Sequence, residues 1–322
     1  MKNHIIYFVL IFCCFACSED NDEIDIALPP SITLNAPAQG PEGIEYDQNT
    51  QSFLLSSVNG LPIIKVDFDG TVMSFANGEA FPLSTAGLHI DDTRNRLLAA
   101  AFNGLEAFDT LATTVGQSNL RIYDLETGLL EQDILLSDLS PGAFGYFAND
   151  LAVDDAGNVY VSDWFANVIY RVDINNNASL FWENPTLSAW PNGMDFHPDG
   201  YLLVSLINDN YSEYGFVKIP IDNPQDAQNV VIPGNGFSGF DGMVINEKGN
   251  IIGVTNDGTN PGGNLLIELM SSDDWVTASI VNSRSITPST TVAIIPNDEY
   301  YVINQDFQNN AADEWTIEKI EF

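Results

Sequence analysis

Apolar residues in this chain fall into short runs of four to seven, broken by Asp, Asn and Gly, and no stretch after the first twenty residues holds a helical period. The runs repeat as a module. A polar residue and a small residue lead into an apolar strand, an Asp/Asn/Gly turn follows, and a second apolar strand closes the hairpin. Six copies are legible: "EGIEYDQNTQSFLLSSV", "AGLHIDDTRNRLLAAAF", "NDLAVDDAGNVYVSDWF", "NGMDFHPDGYLLVSLIN", "DGMVINEKGNIIGVTND" and "TTVAIIPNDEYYVINQD". Further strand-like segments such as "IIKVDFDGTVMSF" and "NLRIYDLETGLLEQDILL" follow them.

The opening residues are Glu42, Ala86, Asn149, Asn192, Asp241 and Thr290, spaced by 44, 63, 43, 49 and 49 residues. Four short strands with their turns need about 40–50 residues, the length of one propeller blade. The pattern therefore predicts an all-β fold, a six-bladed β-propeller closed by the final "EWTIEKIEF"; an open array of β-sandwiches is the alternative. The long step contains "GLEAFDTLATTVGQS" (104–118), read as a loop inserted in the second blade.

Equivalent positions of a closed radial repeat form a ring about its axis. If the opening residue starts each innermost strand, the ring reads Glu, Ala, Asn, Asn, Asp, Thr. Four of these carry carboxylate or amide oxygens and none is His or Cys. Such hard donors suit a divalent cation, calcium first, with magnesium or manganese less snug; zinc would recruit nitrogen or sulfur. The residue after each opener, Gly in four copies, reads as a turn, and Asn or Asp before it also suits a turn. Glu42 does not.

Charge and the N-terminus narrow the setting. Residues 1–16 combine a basic start with "IIYFVLIFCCFA", too short for a spanning helix of about 20 residues, and are expected to be a signal peptide. "CFAC" resembles a bacterial lipobox, which makes Cys17 the lipidated residue. The acidic, proline-containing stretch after it resembles the surface-export signals of Bacteroidetes lipoproteins and is expected to be a flexible tether to residue 36, leaving 37–322 as the propeller. All 3 cysteines lie in the leader, so thiol catalysis and thiolate metal sites are excluded from the globule. Asp and Glu number 45 against 10 Lys and Arg, a net charge of −35. That field repels nucleic acid and anionic membranes and attracts cations. The expected protein is a monomer at the bacterial cell envelope, with the outer membrane surface as one candidate location, touching lipid only through its anchor.

Glu42, "NDLAVD", "PNGMDF" and "FDGMVI" resemble, in order and spacing, the motifs of the senescence marker protein/gluconolactonase family, regucalcin-like six-bladed propellers. The resemblance implies that Glu42, Asn192 and Asp241 ligate a divalent metal, with Asn149 a further ligand, direct or through water, and a substrate contact. Two departures stand out. Phe147 occupies the place where lactonases of the family carry a sugar-gripping arginine, and Ile44-Glu45-Tyr46 replaces Pro-Val-Trp. "LRIYDLETGLL" also resembles the Yellow/major royal jelly propellers, which are binding proteins.

The expected activity is metal-assisted hydrolysis of a lactone or other ester. Asp241 would act as the base, with Asp150 in reserve, and Asn149 and Asn192 would orient substrate oxygens. Tyr46, Phe147, Trp190 and Phe240 flank the openers as pocket or core. His89 could face the channel, and His197 is expected to be exposed beside a turn. No Gly-x-Ser-x-Gly elbow or phosphate loop occurs, and "NDGTNPGGN" (256–264) reads as a long turn. The alternative is a propeller that binds a ligand or a protein without turnover.

Overall fold

The computed structural model describes residues 28–80, 83–103, 116–185, 188–208, 214–234, 238–256, 263–305 and 312–322. The leader, Cys17, most of the second-blade insert and most of "NDGTNPGGN" lie outside these residues. Among the described residues no helix is long and apolar enough to cross a membrane.

Six antiparallel four-stranded sheets account for the fold. Blade 1 is β2 (Ile44–Asp47), β3 (Ser52–Leu55), β4 (Ile64–Asp67) and β5 (Val72–Ser74). Blade 2 is β6 (Ser84–Asp91), β7 (Arg96–Phe102), β8 (Ser118–Asp124) and β9 (Leu130–Leu135). Blade 3 is β10 (Ala148–Val153), β11 (Val159–Asp163), β12 (Val168–Val172) and β13 (Ala178–Glu183). Blade 4 is β14 (Trp190–His197), β15 (Tyr201–Ile207), β16 (Tyr214–Pro220) and β17 (Gln228–Asn229). Blade 5 is β18 (Met243–Ile245), β19 (Ile251–Asn256), β20 (Asn264–Met270) and β21 (Ser279–Ser285). Blade 6 is β22 (Ser289–Ile295), β23 (Glu299–Asn304) and β24 (Glu314–Ile320), with β1 (Ser31–Asn35) as its outermost strand.

The six-bladed expectation holds, with one boundary changed. β1 pairs with β24 along its length, from Ser31 opposite Glu318 to Asn35 opposite Glu314. Ile32 and Leu34 are thereby buried between blades 6 and 1. The propeller thus begins by residue 31, within the stretch expected to be tether. The alternation of Ile and Leu in "SITLN" carries this signal, which the acidic composition just before it obscures.

Hydrophobic burial is divided into wedges, one per blade interface. Strand periodicity of two sends neighbouring residues to opposite faces. Leu97 enters the wedge between blades 1 and 2, while Leu98 enters that between 2 and 3. Leu202 and Leu203 divide in the same way between blade 3 and blade 5. Second strands such as β7 and β15 are buried at every residue, because both faces meet a neighbouring blade. That explains their unbroken apolar runs. The outermost β21 is exposed throughout.

The innermost strands carry the feature that positions the site. In β6, β10, β14 and β22 the pairing slips by one residue, at 86–87, 149–150, 192–193 and 290–291. These are the opening pairs. Each is a β-bulge in which two residues face one on the partner strand. In blades 1 and 5 the pairs 42–43 and 241–242 precede the strand in the same arrangement, since Ser56 N donates to Gly43 O (3.0 Å) and Asp241 N to Val254 O (2.8 Å). A bulge leaves amides without ladder partners, and buried serines of the second strands accept them. Ser56 Oγ accepts from the Gly43 amide (2.6 Å), and Ser162 Oγ from that of Asp150 (3.0 Å).

The glycines after the openers are therefore not turn residues, contrary to expectation; their φ values are not positive. They are small because adjacent blades meet there backbone to backbone. A Cβ on Gly87 would lie 2.6 Å from the Asn149 carbonyl and 2.9 Å from the Asp150 Cα, and one on Gly193 would run into the Asp241 carbonyl. Gly87→Ala is expected to cost about 1–3 kcal/mol in urea unfolding, the usual range for overpacking. Gly215→Ala, whose new Cβ meets only the Leu206 side chain at 3.5 Å, should stay within roughly 0.5 kcal/mol of the parent.

Candidate functional site

Contacts run from opener to opener around the axis. Gly43 abuts the Ala86 carbonyl, Gly87 that of Asn149, and Gly193 that of Asp241. Ser162 Oγ donates to Asn192 O (2.9 Å), Gly242 N to Thr290 O (2.7 Å) and Thr290 Oγ1 to Glu42 O (2.8 Å). Six segments scattered over some 250 residues thus share one small ring. Glu42, Asn149, Asn192 and Asp241 are all buried there, with Ala86 and Thr290 completing it.

The ring is electrostatically uncomfortable. Burial raises the Glu42 carboxyl well above the usual carboxylate range, and the Asp241 and Asp150 carboxylates push it further. Asn192, 2 % exposed, holds its Oδ1 with no hydrogen-bond partner among the described residues. An unmet buried carbonyl costs about 1–3 kcal/mol. Two buried carboxyls and two amides, one of them with its carbonyl orphaned, are a set that a hard divalent cation would satisfy. Among the described residues no group of three His, Cys, Asp or Glu is placed to hold a metal; the ring holds two carboxylates and fills out its donors with amides.

Asp150 takes a different place from the one expected. Its Oδ1 accepts from Leu151 N (2.9 Å) and its Oδ2 from Met194 N (2.8 Å), so it ties blade 3 to blade 4. Asp195 repeats the device one blade on, accepting from Phe196 N and Ile245 N, each at 2.7 Å. Neither tie was legible in the sequence, because Asp150 stands one residue after its opener and Asp195 three after.

Below the ring the channel widens into a cavity of about 640 Å³, lined among others by Glu45, His89, Asp92, Asp150, Asp195 and Asp298. Burial pushes Asp150 up to about 8 and Asp195 up to about 6, partly offset by the backbone amides they accept. Burial and the nearby Asp195 and Asp150 carboxylates also raise Glu45 well above its usual range. His89 lines this cavity, the less favoured of its two sequence readings, and burial lowers it to about 4. His197 is not exposed as expected: its ring stacks on Tyr201 at 4.6 Å.

Of the four flanking aromatics, Tyr46 packs with Phe53 and Phe68 and lines the lower cavity, and Phe240 is buried between blades 4 and 5. Phe147 and Trp190 stand at the ring. Trp164 and Phe165 join them there, residues the sequence reading missed despite "SDWF" following a second strand.

The sequence model of the SMP-30/gluconolactonase/LRE-like region matches residues 40–260, which span all four oxygen-bearing openers. The chain belongs to this family. Three solved structures show the fold of the family member described here. The allergen Mala s 1 of Malassezia sympodialis is 20% identical, covers 92% of this chain and 97% of its own, and has a TM-score of 0.74. A gluconolactonase of Xanthomonas campestris is 17% identical, with 90% and 89% covered and a TM-score of 0.60. Regucalcin of Agrobacterium tumefaciens, a calcium-binding protein, is 16% identical, with 88% and 90% covered and a TM-score of 0.58. No curated protein matches the sequence.

The His89 shift fixes a pH dependence for this family member. Between about 4 and 6.5 the folded state binds fewer protons at His89 than the unfolded chain, so its contribution is full above 6.5 and is lost as pH falls toward 4. The raised Asp150 and Asp195 act with the opposite sign, and comparison with a variant isolates the histidine. His89→Gln should lose less stability than the parent between pH 7 and 4.5, by about 3 kcal/mol at most. Thermal midpoints of both proteins across that range check it.

Proposed function

We propose that this protein is a hydrolase of lactones or related esters that works with a divalent cation of the calcium type and is tethered to the cell envelope through Cys17. The observation that supports the reading is that Glu42, Asp241 and Asn192 with its orphaned Oδ1 are buried at equivalent positions of one ring. Glu42, Asn192 and Asp241 would hold the cation, with Asn149 beside them. A cation so held supplies positive charge that polarises a carbonyl and acidifies water. Magnesium or manganese would serve less well on the same donors. Family membership and the gluconolactonase and calcium-binding neighbours support this reading.

The residues divide the remaining work. The Asp241 carboxylate takes a proton from the attacking water and returns it to the leaving ring oxygen as the acyl C–O bond breaks. Asn149 and Asn192 donate amide N–H groups to the substrate's oxygens and fix its carbonyl at the ring. Asp150, with both oxygens engaged by the backbone, holds blades 3 and 4 at the spacing that places those amides. A binding propeller without turnover is the second reading, and it draws on the same engagement of Asp150, whose carboxylate is taken up by backbone amides.

Chelation and substitution separate stability from function. In chelator, Glu42→Gln should raise the melting temperature by a few degrees, because it removes a buried, mutually repelled carboxyl. Calcium at a hundred times its Kd should stabilise the parent by about 2.7 kcal/mol, and Glu42→Gln with Asp241→Asn should gain nothing. The same pair should lower lactone turnover by roughly 10²-fold or more. Calcium titration by calorimetry and a lactone panel measure both; a double variant that still binds calcium and turns over lactone would sink the reading.

A further inference from the structure

We propose that the substrate of this site carries an uncharged aromatic or alkyl group, held against an arc of Phe144, Phe147, Trp164, Phe165 and Trp190, and is neither a sugar acid nor another anion. The proposal rests on the ring being the site, but it concerns what lies beside the ring.

The arc is continuous and touches the ring. Phe147 belongs to one apolar cluster with the opener Ala86, with Val58 and Phe102, and with the partly buried Trp164 and Phe165. Ring centroids link its members: Phe147 to Phe165 at 6.0 Å, Phe144 to Phe165 at 6.3 Å, and Trp164 to Trp190 at 5.6 Å edge-on. Phe147 and Trp190 each stand two residues before an amide of the ring, Asn149 and Asn192. A substrate whose carbonyl met those amides would lay its remainder across the arc.

The arc is also held rigidly. The buried Asp163 carboxylate accepts from the amides of Phe147 (2.8 Å) and Ala166 (3.0 Å) and from Ser118 Oγ (2.7 Å), which pins both arms of the arc in blade 3. The Trp164 indole N–H donates to Ile207 O (3.0 Å) and so spans to blade 4. Yet Phe144 is 75 % exposed, and Trp164, Phe165 and Trp190 are each partly exposed. Large preset aromatic faces left open to water bind apolar groups at little ordering cost.

Charge argues the same way. None of the innermost strands contains Lys or Arg, and neither does the arc. Most of the described cations are engaged elsewhere: Lys65 with Asp47, Arg94 and Arg96 with Asp91, Arg121 with Glu79 and Asp133, and Lys218 with Asp274. Arg284 lies on the outermost strand of blade 5. The segments 104–115, 209–213 and 257–262 contain no Lys or Arg either. An anionic substrate would enter a strongly negative field with no guanidinium or ammonium to receive it.

Dihydrocoumarin, an uncharged aryl lactone, and glucono-δ-lactone, with gluconate as the anion, make the test. Dihydrocoumarin should quench tryptophan emission saturably, with chelator or with calcium, while gluconate should not. With calcium, kcat/KM for dihydrocoumarin should exceed that for glucono-δ-lactone at least about tenfold. Phe165→Ser should weaken dihydrocoumarin quenching and turnover roughly tenfold and reduce its preference over glucono-δ-lactone, with the melting temperature nearly unchanged; Phe165→Leu should restore most of the loss. Saturable quenching without any turnover would uphold the arc and remove the hydrolase reading. Turnover that favours glucono-δ-lactone, or dihydrocoumarin that fails to quench at millimolar concentration, would overturn the arc and leave the hydrolase reading standing.

Discussion

Backbone touches backbone at the axis of this propeller, and that close approach governs what can stand around it. Six chain segments have to pass one another where the blades converge, and side chains cannot fit between them. The response is local and repeated. Four of the six innermost strands slip by one residue, and a small residue follows the opener in most copies. The bulge is what turns the opener toward the axis instead of into a wedge. Buried serines in the second strands absorb the amides that the bulge releases. The same distortion that lets the ring close therefore creates the cluster of oxygens at its centre.

That cluster is held against its own electrostatics. Desolvated carboxyls repel each other, and Glu42 answers by keeping its proton more tightly. Below the ring the same tendency continues in Asp150, Asp195 and Glu45, two of which are bound by backbone amides of neighbouring blades. Acids thus serve two ends in one channel. Those with both oxygens taken by amides join blades; Glu42 and Asp241 are buried on the ring that also carries the orphaned Asn192 carbonyl. The rigid wedges on every side prevent the ring from relaxing, and closure of blade 6 by β1 and β24 fixes its circumference.

Much of this was legible beforehand, for identifiable reasons. Glu42, Asn149, Asn192 and Asp241 could be singled out because a repeat makes equivalent positions comparable, and no turn preference explains Glu42. The strands of blade 2 could be read from "RLLAAAF" because a strand buried on both faces has no polar interruption. β1 was missed because five alternating residues adjoin an acidic stretch whose composition says tether. Trp164 and Phe165 were missed because "SDWF" reads as the end of a strand, and nothing local says that its rings will meet Trp190 of the next blade.

The sequence by itself determined the period, the strand pattern and the kinds of oxygen at each opening, since these are properties of residues in order. Only the tertiary structure decided which acids share space and which are spent on joining blades. Asp150 and Asn149 are adjacent in the chain, yet one tethers Met194 and the other is buried as a member of the ring. That division follows from a bulge and from the position of the next blade, and pairwise distances between segments far apart in the chain are set only when the ring has closed.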